Sequence, residues 1–92
     1  MPYVTSDRRQ ELDYRFFSDK EKIEGGLEHL TKGDLEYIVF KIMKLYMSKK
    51  EYRYSTLHDV VYAVQHCADE FRRRYLDKRE DEARESNGDI DL

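Results

Sequence analysis

Three consecutive arginines stand in the stretch HCADEFRRRYLDKR, in the second half of the chain. Guanidinium groups bind carboxylates and phosphates through paired hydrogen bonds, so Arg72, Arg73 and Arg74 could hold an anionic partner. The arginines could instead pair with the acids before them. Asp69 precedes Arg73 by four residues and Glu70 precedes Arg74 by four, which is the favourable order for ion pairs along one helix. Both interpretations stay open on the sequence alone.

Charge is divided into blocks along the same predicted helix. Residues 71–79 hold five bases and one acid, and residues 80–91 hold one base and six acids. Such a helix could pair antiparallel with a copy of itself, or it could lay its basic block on an anionic ligand. Arg8 and Arg9 form a second basic pair. If their helix packs near the last one, five guanidiniums could converge on a phosphate.

Four neighbouring residues, His66, Cys67, Asp69 and Glu70, are of types that ligate metals. On a helical wheel, His66 points away from the apolar face, and Cys67 lies about 100° around the helix from the apolar face. A zinc site normally needs three or four protein ligands, so we expect no metal and no cofactor. The chain also has no Gly-rich phosphate loop, nucleophile elbow or paired-carboxylate signature, and we therefore expect a protein that is not an enzyme.

Composition limits the classes of protein that fit. The chain has 92 residues, enough for one domain, with 17 basic and 20 acidic side chains and a net charge of −3. A general nucleic-acid binder is usually basic, so this balance argues against that class. A lone cysteine fits a reducing cytoplasm. The longest apolar runs, YIVF and VVYAV, are far too short to span a bilayer, so no membrane partner is expected.

Capping signals divide the first half of the chain. Thr5 or Ser6 is expected to cap a short N-terminal helix, and the capping box SDKE places Ser18 at the cap of a second helix. In the stretch TKGD, Gly33 suits a left-handed residue that ends this second helix, and Asp34 suits the cap of the next.

The third and last helices carry most of the apolar residues. We expect the third over residues 35–49, with an apolar arc of roughly 220°, which is wider than one packing partner covers. The last is expected to begin at the capping box TLHD (56–59), to run to about residue 85 and to stop at the Asn-Gly of SNGD. Its apolar stripe consists of Leu57, Val60, Val61, Val64, Ala68, Phe71 and Tyr75.

These signals predict an all-α fold. We expect a small helical bundle of three main helices plus a short N-terminal helix, with a long charged C-terminal helix. A single helical domain should cover residues 1–85, and residues 86–92 should form a flexible acidic tail. Tyr62 and Ala63, at the centre of the outer face of the last helix, are unusual for a purely solvated surface. Together with the wide apolar arc they indicate a homo-oligomer.

Four stretches carry a recognisable pattern: MPYVTSDRRQELD at the start, GDLEYIV (33–39), YSTLHDVVYAVQHCADEFRRR (54–74) and ESNGDI (85–90). Together they resemble a family of small proteins from bacteriophages and prophages that is catalogued as a domain of unknown function. The family pattern has a proline after the arginine-rich stretch that YLDKRED lacks, so the last helix should run on where relatives bend. The resemblance implies a phage or prophage origin and action in the host cytoplasm, and it transfers no activity.

Three functional hypotheses follow. The first is a non-enzymatic phage accessory protein that binds and modulates a host macromolecule, as a counter-defence factor would. The second is a protein that sequesters a nucleotide-type signal in an arginine-lined subunit interface, and the third is a structural or assembly role. The candidate ligand- or partner-binding residues are Arg8, Arg9, Tyr62, His66, Arg72, Arg73 and Arg74.

Overall fold

The computed structural model describes residues 4–90, and every regular element in that range is a helix. The predicted all-α class is therefore confirmed. No helix within these residues is long and apolar enough to cross a membrane. The helices are α1 (Ser6–Phe17), α2 (Lys20–Leu27), α3 (Lys32–Ser48), α4 (Tyr54–Phe71), a π-helical turn (Arg72–Leu76) and α5 (Asp77–Asn87).

The described chain separates into a first unit that ends at Tyr46 and a second unit that begins at Met47, near the end of α3. The single domain expected over residues 1–85 stays a prediction, and so does the flexible tail over residues 86–92. Within that tail, α5 continues to Asn87, and residues 91 and 92 lie outside the described range.

Side-chain caps fix the starts of α1 and α2. The hydroxyl of Thr5 accepts a hydrogen bond from the backbone N–H of Arg8 at 3.2 Å. Of the two predicted candidates, Thr5 and Ser6, Thr5 is therefore the cap. The predicted cap of the second helix, Ser18, is wrong. Because α1 extends to Phe17, Ser18 closes that helix, and the carboxylate of Asp19 caps α2 by accepting from the N–H of Lys22 at 3.2 Å.

The junction between α2 and α3 also differs from the prediction. His29, with φ of 62°, is the left-handed residue after α2, and Gly33 lies inside the first turn of α3. Thr31 and Asp34 form a reciprocal capping box: the N–H of Asp34 donates to the Thr31 hydroxyl at 3.1 Å, and the N–H of Thr31 donates to the Asp34 carboxylate at 3.0 Å. The predicted cap Asp34 is thus the last residue of the box and the third residue of α3, which begins three residues before Leu35.

The left-handed backbone at His29 leads to a stability prediction. A residue with a Cβ is strained there by about 1 kcal/mol, whereas glycine is not. We expect His29→Gly to raise the free energy of unfolding by about 1 kcal/mol, which corresponds to about 4–8 °C in melting temperature for a domain of this size. Thermal unfolding followed by circular dichroism measures the change. His29→Ala is the matched control, since it keeps a Cβ, and an equal gain from both variants would show that backbone strain at residue 29 is not the cause.

The second unit contains one continuous helical run from Tyr54 to Asn87. It begins two residues before the predicted box, and Arg53 at its cap makes no side-chain capping hydrogen bond. The predicted stop is confirmed. Gly88 has φ of 85°, and its N–H donates to the carbonyl of Arg84 at 2.8 Å.

The apolar stripe of the last helix is covered only in part. Val60, at 8% exposure, is the single buried side chain among the described residues. Leu57 and Val64 are half-buried, while Phe71 and Tyr75, both predicted to face the core, are exposed.

Helix α3 shows the same mixture of half-buried and exposed apolar residues. Its half-buried residues are Ile38, Val39, Met43 and Met47, and its exposed ones include Leu35, Phe40, Ile42, Leu45 and Tyr46. Exposed apolar surface on this scale is typical of proteins that bind other proteins.

Candidate interaction surface on the last helix

The arginine run coincides with a change in helix geometry. The backbone N–H of Asp77 donates to the carbonyl of Arg72, five residues earlier, which is the hydrogen bond of a π-helical turn. This turn holds one more residue than an α-helical turn, so it shifts the angular position of every residue after it. Tyr75, which an α-helical wheel places on the core line, is 60% exposed, and Phe71, which precedes the turn, is 66% exposed. Single π turns within α-helices occur often at functional sites.

Two of the three arginines are held by one carboxylate. The Nε of Arg74 donates to Oε1 of Glu70 at 2.7 Å. Arg73 contacts the same carboxylate through both Nε and Nη2. The Glu70 side chain is only 16% exposed, whereas the side chains of Arg73 and Arg74 are 68% and 52% exposed. The predicted pair of Glu70 with Arg74 is confirmed, and Arg73 also binds Glu70, where the sequence had suggested Asp69.

This carboxylate leads to a second stability prediction. Glu70→Gln keeps the size of the side chain but removes the charge that both guanidiniums share. We expect the free energy of unfolding to fall by about 1 kcal/mol, because two partly exposed ion pairs are lost at once. Thermal unfolding of both chains with and without 1 M NaCl measures the loss. Salt screens these ion pairs in the wild-type chain, so the stability difference between the two chains should be smaller at 1 M NaCl.

Glu82→Gln is the matched control for Glu70→Gln. Glu82 pairs with Arg79 at 3.6 Å, and both side chains are at least half exposed, so its loss should cost no more than about 0.3 kcal/mol. Equal effects of the two substitutions would show that the Glu70 carboxylate contributes no more to stability than the carboxylate of an exposed ion pair.

Arg72 differs from its two neighbours. Its side chain makes no ion pair with any residue from 4 to 90. It borders an open groove on the π turn, beside Phe71 and Leu76, which are 66% and 46% exposed. The remaining residues that line this groove are Ala68 and Asp69. Arg72 is therefore the guanidinium of the run that is available to a partner.

A ladder of rings runs along the first half of α4. Tyr54, His58, Tyr62 and His66 follow one another at four-residue spacing, with ring centroids 4.3, 5.4 and 6.5 Å apart. Two predicted site residues, Tyr62 and His66, belong to this aromatic ladder. The other two, Tyr54 and His58, were missed, although the spacing of four is visible in the sequence. Tyr54 lies before residue 56, where the helix was expected to begin.

The remaining two predicted site residues lie in the first unit, where neighbours along the chain hold them. Arg8 forms an ion pair with Glu11, three residues later. The Nη1 of Arg9 donates to the carbonyl of Val4 at 3.1 Å. Convergence of these two guanidiniums with those of the last helix stays a prediction.

Metal ligation and nucleophilic chemistry gain no support from these positions. No group of three or more His, Cys, Asp or Glu residues within the described range could hold a metal ion together. Cys67 is an exposed free thiol. The expected lack of a metal, a cofactor and an enzymatic activity stays a prediction.

A family model for a domain of unknown function (DUF6899) matches residues 1–90 of the chain. The chain belongs to this family. The match covers nearly its whole length, including the π turn, the aromatic ladder and the capping box at Thr31. No curated protein and no solved structure matches it.

Proposed function

We propose that this member of the family is a non-enzymatic accessory protein, encoded by a phage or prophage, that binds and modulates a protein of its bacterial host. The single observation that supports this proposal most is the groove on the π turn. There Arg72, without an ion pair among the described residues, lies beside the exposed side chains of Phe71 and Leu76. Arginine and aromatic residues next to each other are the types that contribute most to protein–protein affinity.

The groove fits a protein better than a phosphate. Asp69 lines it together with Arg72, so a guanidinium and a carboxylate face the same partner. A protein segment can offer a group of each sign, with apolar side chains for Phe71 and Leu76. A phosphate would be attracted by Arg72 but repelled by Asp69. The local charge therefore favours a protein partner.

Sequestration of a nucleotide is the second candidate, and one observation supports it. The exposed ring of Phe71 packs against Tyr75 with ring centroids 4.7 Å apart, which offers a surface on which a base could stack. In this alternative, Arg72 would bind the phosphate. The repulsion from Asp69 is the reason to rank it below a protein partner.

A pull-down with matched variants tests the proposal. The tagged chain, Arg72→Gln and Lys78→Gln are each incubated with lysate of the source bacterium or of the phage host, and bound proteins are quantified by mass spectrometry. Lys78 is the control because it is another base without an ion pair among the described side chains. We expect one host protein to bind the wild-type chain and Lys78→Gln and to be lost with Arg72→Gln.

Further measurements on the same three chains, native mass spectrometry among them, can contradict the proposal. Native mass spectrometry of the purified chain that shows a bound nucleotide, absent from Arg72→Gln, would favour sequestration. Equal recovery of every host protein by all three chains would exclude Arg72 as a contact. Loss of self-association alone would favour the assembly role.

A further inference from the structure

The three arginines of the last helix have the composition of a polyanion-binding site, but acids surround them. Short basic runs commonly bind nucleic acid, because each guanidinium can neutralise a phosphate. Residues 69–82, which contain the run and its neighbours on both sides, hold five bases and six acids. The charge that this surface offers to a partner therefore depends on which base each acid holds.

One carboxylate holds two of the three guanidiniums. Arg73 donates to both oxygens of the Glu70 carboxylate through Nε and Nη2, and the Nε of Arg74 donates to Oε1 at 2.7 Å. The Glu70 side chain is 16% exposed, so water and salt screen its attraction to the arginines less than they screen an exposed ion pair. Glu70 thus cancels one of the two positive charges and fixes the direction of both guanidiniums.

The other bases nearby are too few and too far apart to bind a polyanion strongly. Arg79 pairs with Glu82 at 3.6 Å. Arg72 lines the groove on the π turn together with Asp69, whose charge repels a phosphate. Arg72 and Lys78, neither of which makes an ion pair with the described side chains, are separated by about 9 Å along a helix. Affinity for nucleic acid rises with the number of phosphates that are neutralised, so the wild-type chain should bind it weakly.

We propose that Glu70 is a specificity-determining residue of the last helix: it holds Arg73 and Arg74, so that the surface beside the π turn rejects polyanions and presents only Arg72 to a partner. Without its charge, three consecutive guanidiniums would be available to phosphates. A protein partner needs only one guanidinium next to exposed apolar side chains, and Glu70 does not exclude it. The inference rests on the proposed function in naming a protein as the partner, but its test uses no host protein, so either can fail without the other.

Binding of a thymidine oligonucleotide, followed by fluorescence anisotropy, tests the role of Glu70. We expect Glu70→Gln to bind the oligonucleotide at least about tenfold more tightly than the wild-type chain. The plot of log affinity against log salt concentration should steepen by about 1.4, because each of two additional contacts with a single strand contributes about 0.7. Glu82→Gln is the matched control. It adds the same charge but releases only Arg79, from an exposed pair, so it should bind less than about threefold more tightly than the wild-type chain.

Two further comparisons identify the bases that bind. Substitution of Arg73 and Arg74 by glutamine in the Glu70→Gln chain should remove the gain in affinity, because these are the bases that Glu70→Gln releases. In the otherwise unchanged chain at low salt, Arg73→Gln should weaken binding less than Lys78→Gln does. Both remove one positive charge, but Arg73 is already held by Glu70. This last comparison keeps Glu70 in place, so it does not depend on the stability of Glu70→Gln.

Three results would overturn the specificity role of Glu70. The first is an equal gain in oligonucleotide affinity from Glu70→Gln and Glu82→Gln. The second is a gain that persists after Arg73 and Arg74 have been substituted. The third is equal weakening by Arg73→Gln and Lys78→Gln, which would show that Arg73 contacts phosphates although the Glu70 carboxylate binds it.

Discussion

Val60→Asp is expected to unfold the second unit at room temperature. Val60 is the one buried side chain of the described residues, so the substitution removes apolar burial and places a carboxylate where water is excluded. Together these two changes should lower the free energy of unfolding by at least about 3 kcal/mol. A small domain has a total stability of about 5 kcal/mol, and little would remain. Circular dichroism at 222 nm and thermal unfolding measure the loss of helix.

Ala63→Asp is the control for Val60→Asp. It introduces the same carboxylate three residues later in the same helix, at an exposed position. Its expected effect is within about 0.5 kcal/mol, because an exposed charge keeps its hydration. If both variants lost helix to the same extent, Val60 could not be a buried anchor of α4.

Arg72→Gln should weaken binding of the host protein by at least about tenfold without changing stability. An arginine at the centre of an interface commonly contributes about 2 kcal/mol or more, and about 1.4 kcal/mol is tenfold in affinity. Stability should not change, because the Arg72 side chain makes no ion pair with the described part of the chain. Titration calorimetry with the partner recovered by pull-down, together with thermal unfolding, measures both quantities.

Arg74→Gln should show the converse result. Its Nε donates to Glu70 at 2.7 Å, so the substitution removes a contact within the helix and should lower stability by about 0.5 kcal/mol. Affinity for the partner should change less than with Arg72→Gln. If Arg72→Gln and Arg74→Gln changed affinity and stability equally, the three arginines would act as one block of charge rather than in separate roles.

The ends of the helices show which helix boundaries could be predicted from capping signals in the sequence. The cap of α1, predicted as Thr5 or Ser6, and the stop at the Asn-Gly pair were located correctly. A hydroxyl before an acidic first turn and an Asn-Gly pair are strong signals for the two ends of a helix. The junction at residues 28–34 was predicted wrongly because glycine is the usual left-handed residue. Here His29 occupies that conformation, and Thr31 forms the capping box with Asp34. Local patterns located the junction, but they did not determine which residue ends α2.

The π turn in the arginine run was not predicted from the sequence. Its hydrogen bond from Asp77 to Arg72 depends on the backbone, and no residue type in RRRYL specifies it. A wheel of constant 100° steps therefore does not hold for the residues that follow this turn.

The aromatic ladder could have been found from the sequence. Tyrosine and histidine alternate at four-residue spacing from residue 54 to residue 66, which puts all four rings on one side of a helix. Beginning the last helix at residue 56 left Tyr54 out of the pattern. The separate role of Arg72 could not have been found this way, because it depends on which guanidiniums the Glu70 carboxylate binds.

Photo-cross-linking in living cells tests the central claim, that the groove on the π turn holds a host protein. A photoreactive phenylalanine analogue is placed at Phe71 in one strain and at Tyr14, another exposed aromatic position, in a second. We predict an adduct between the chain and one host protein from position 71, absent from position 14 and abolished by Arg72→Gln. An adduct only of the size of two copies, or host adducts equally abundant from both positions, would contradict the claim.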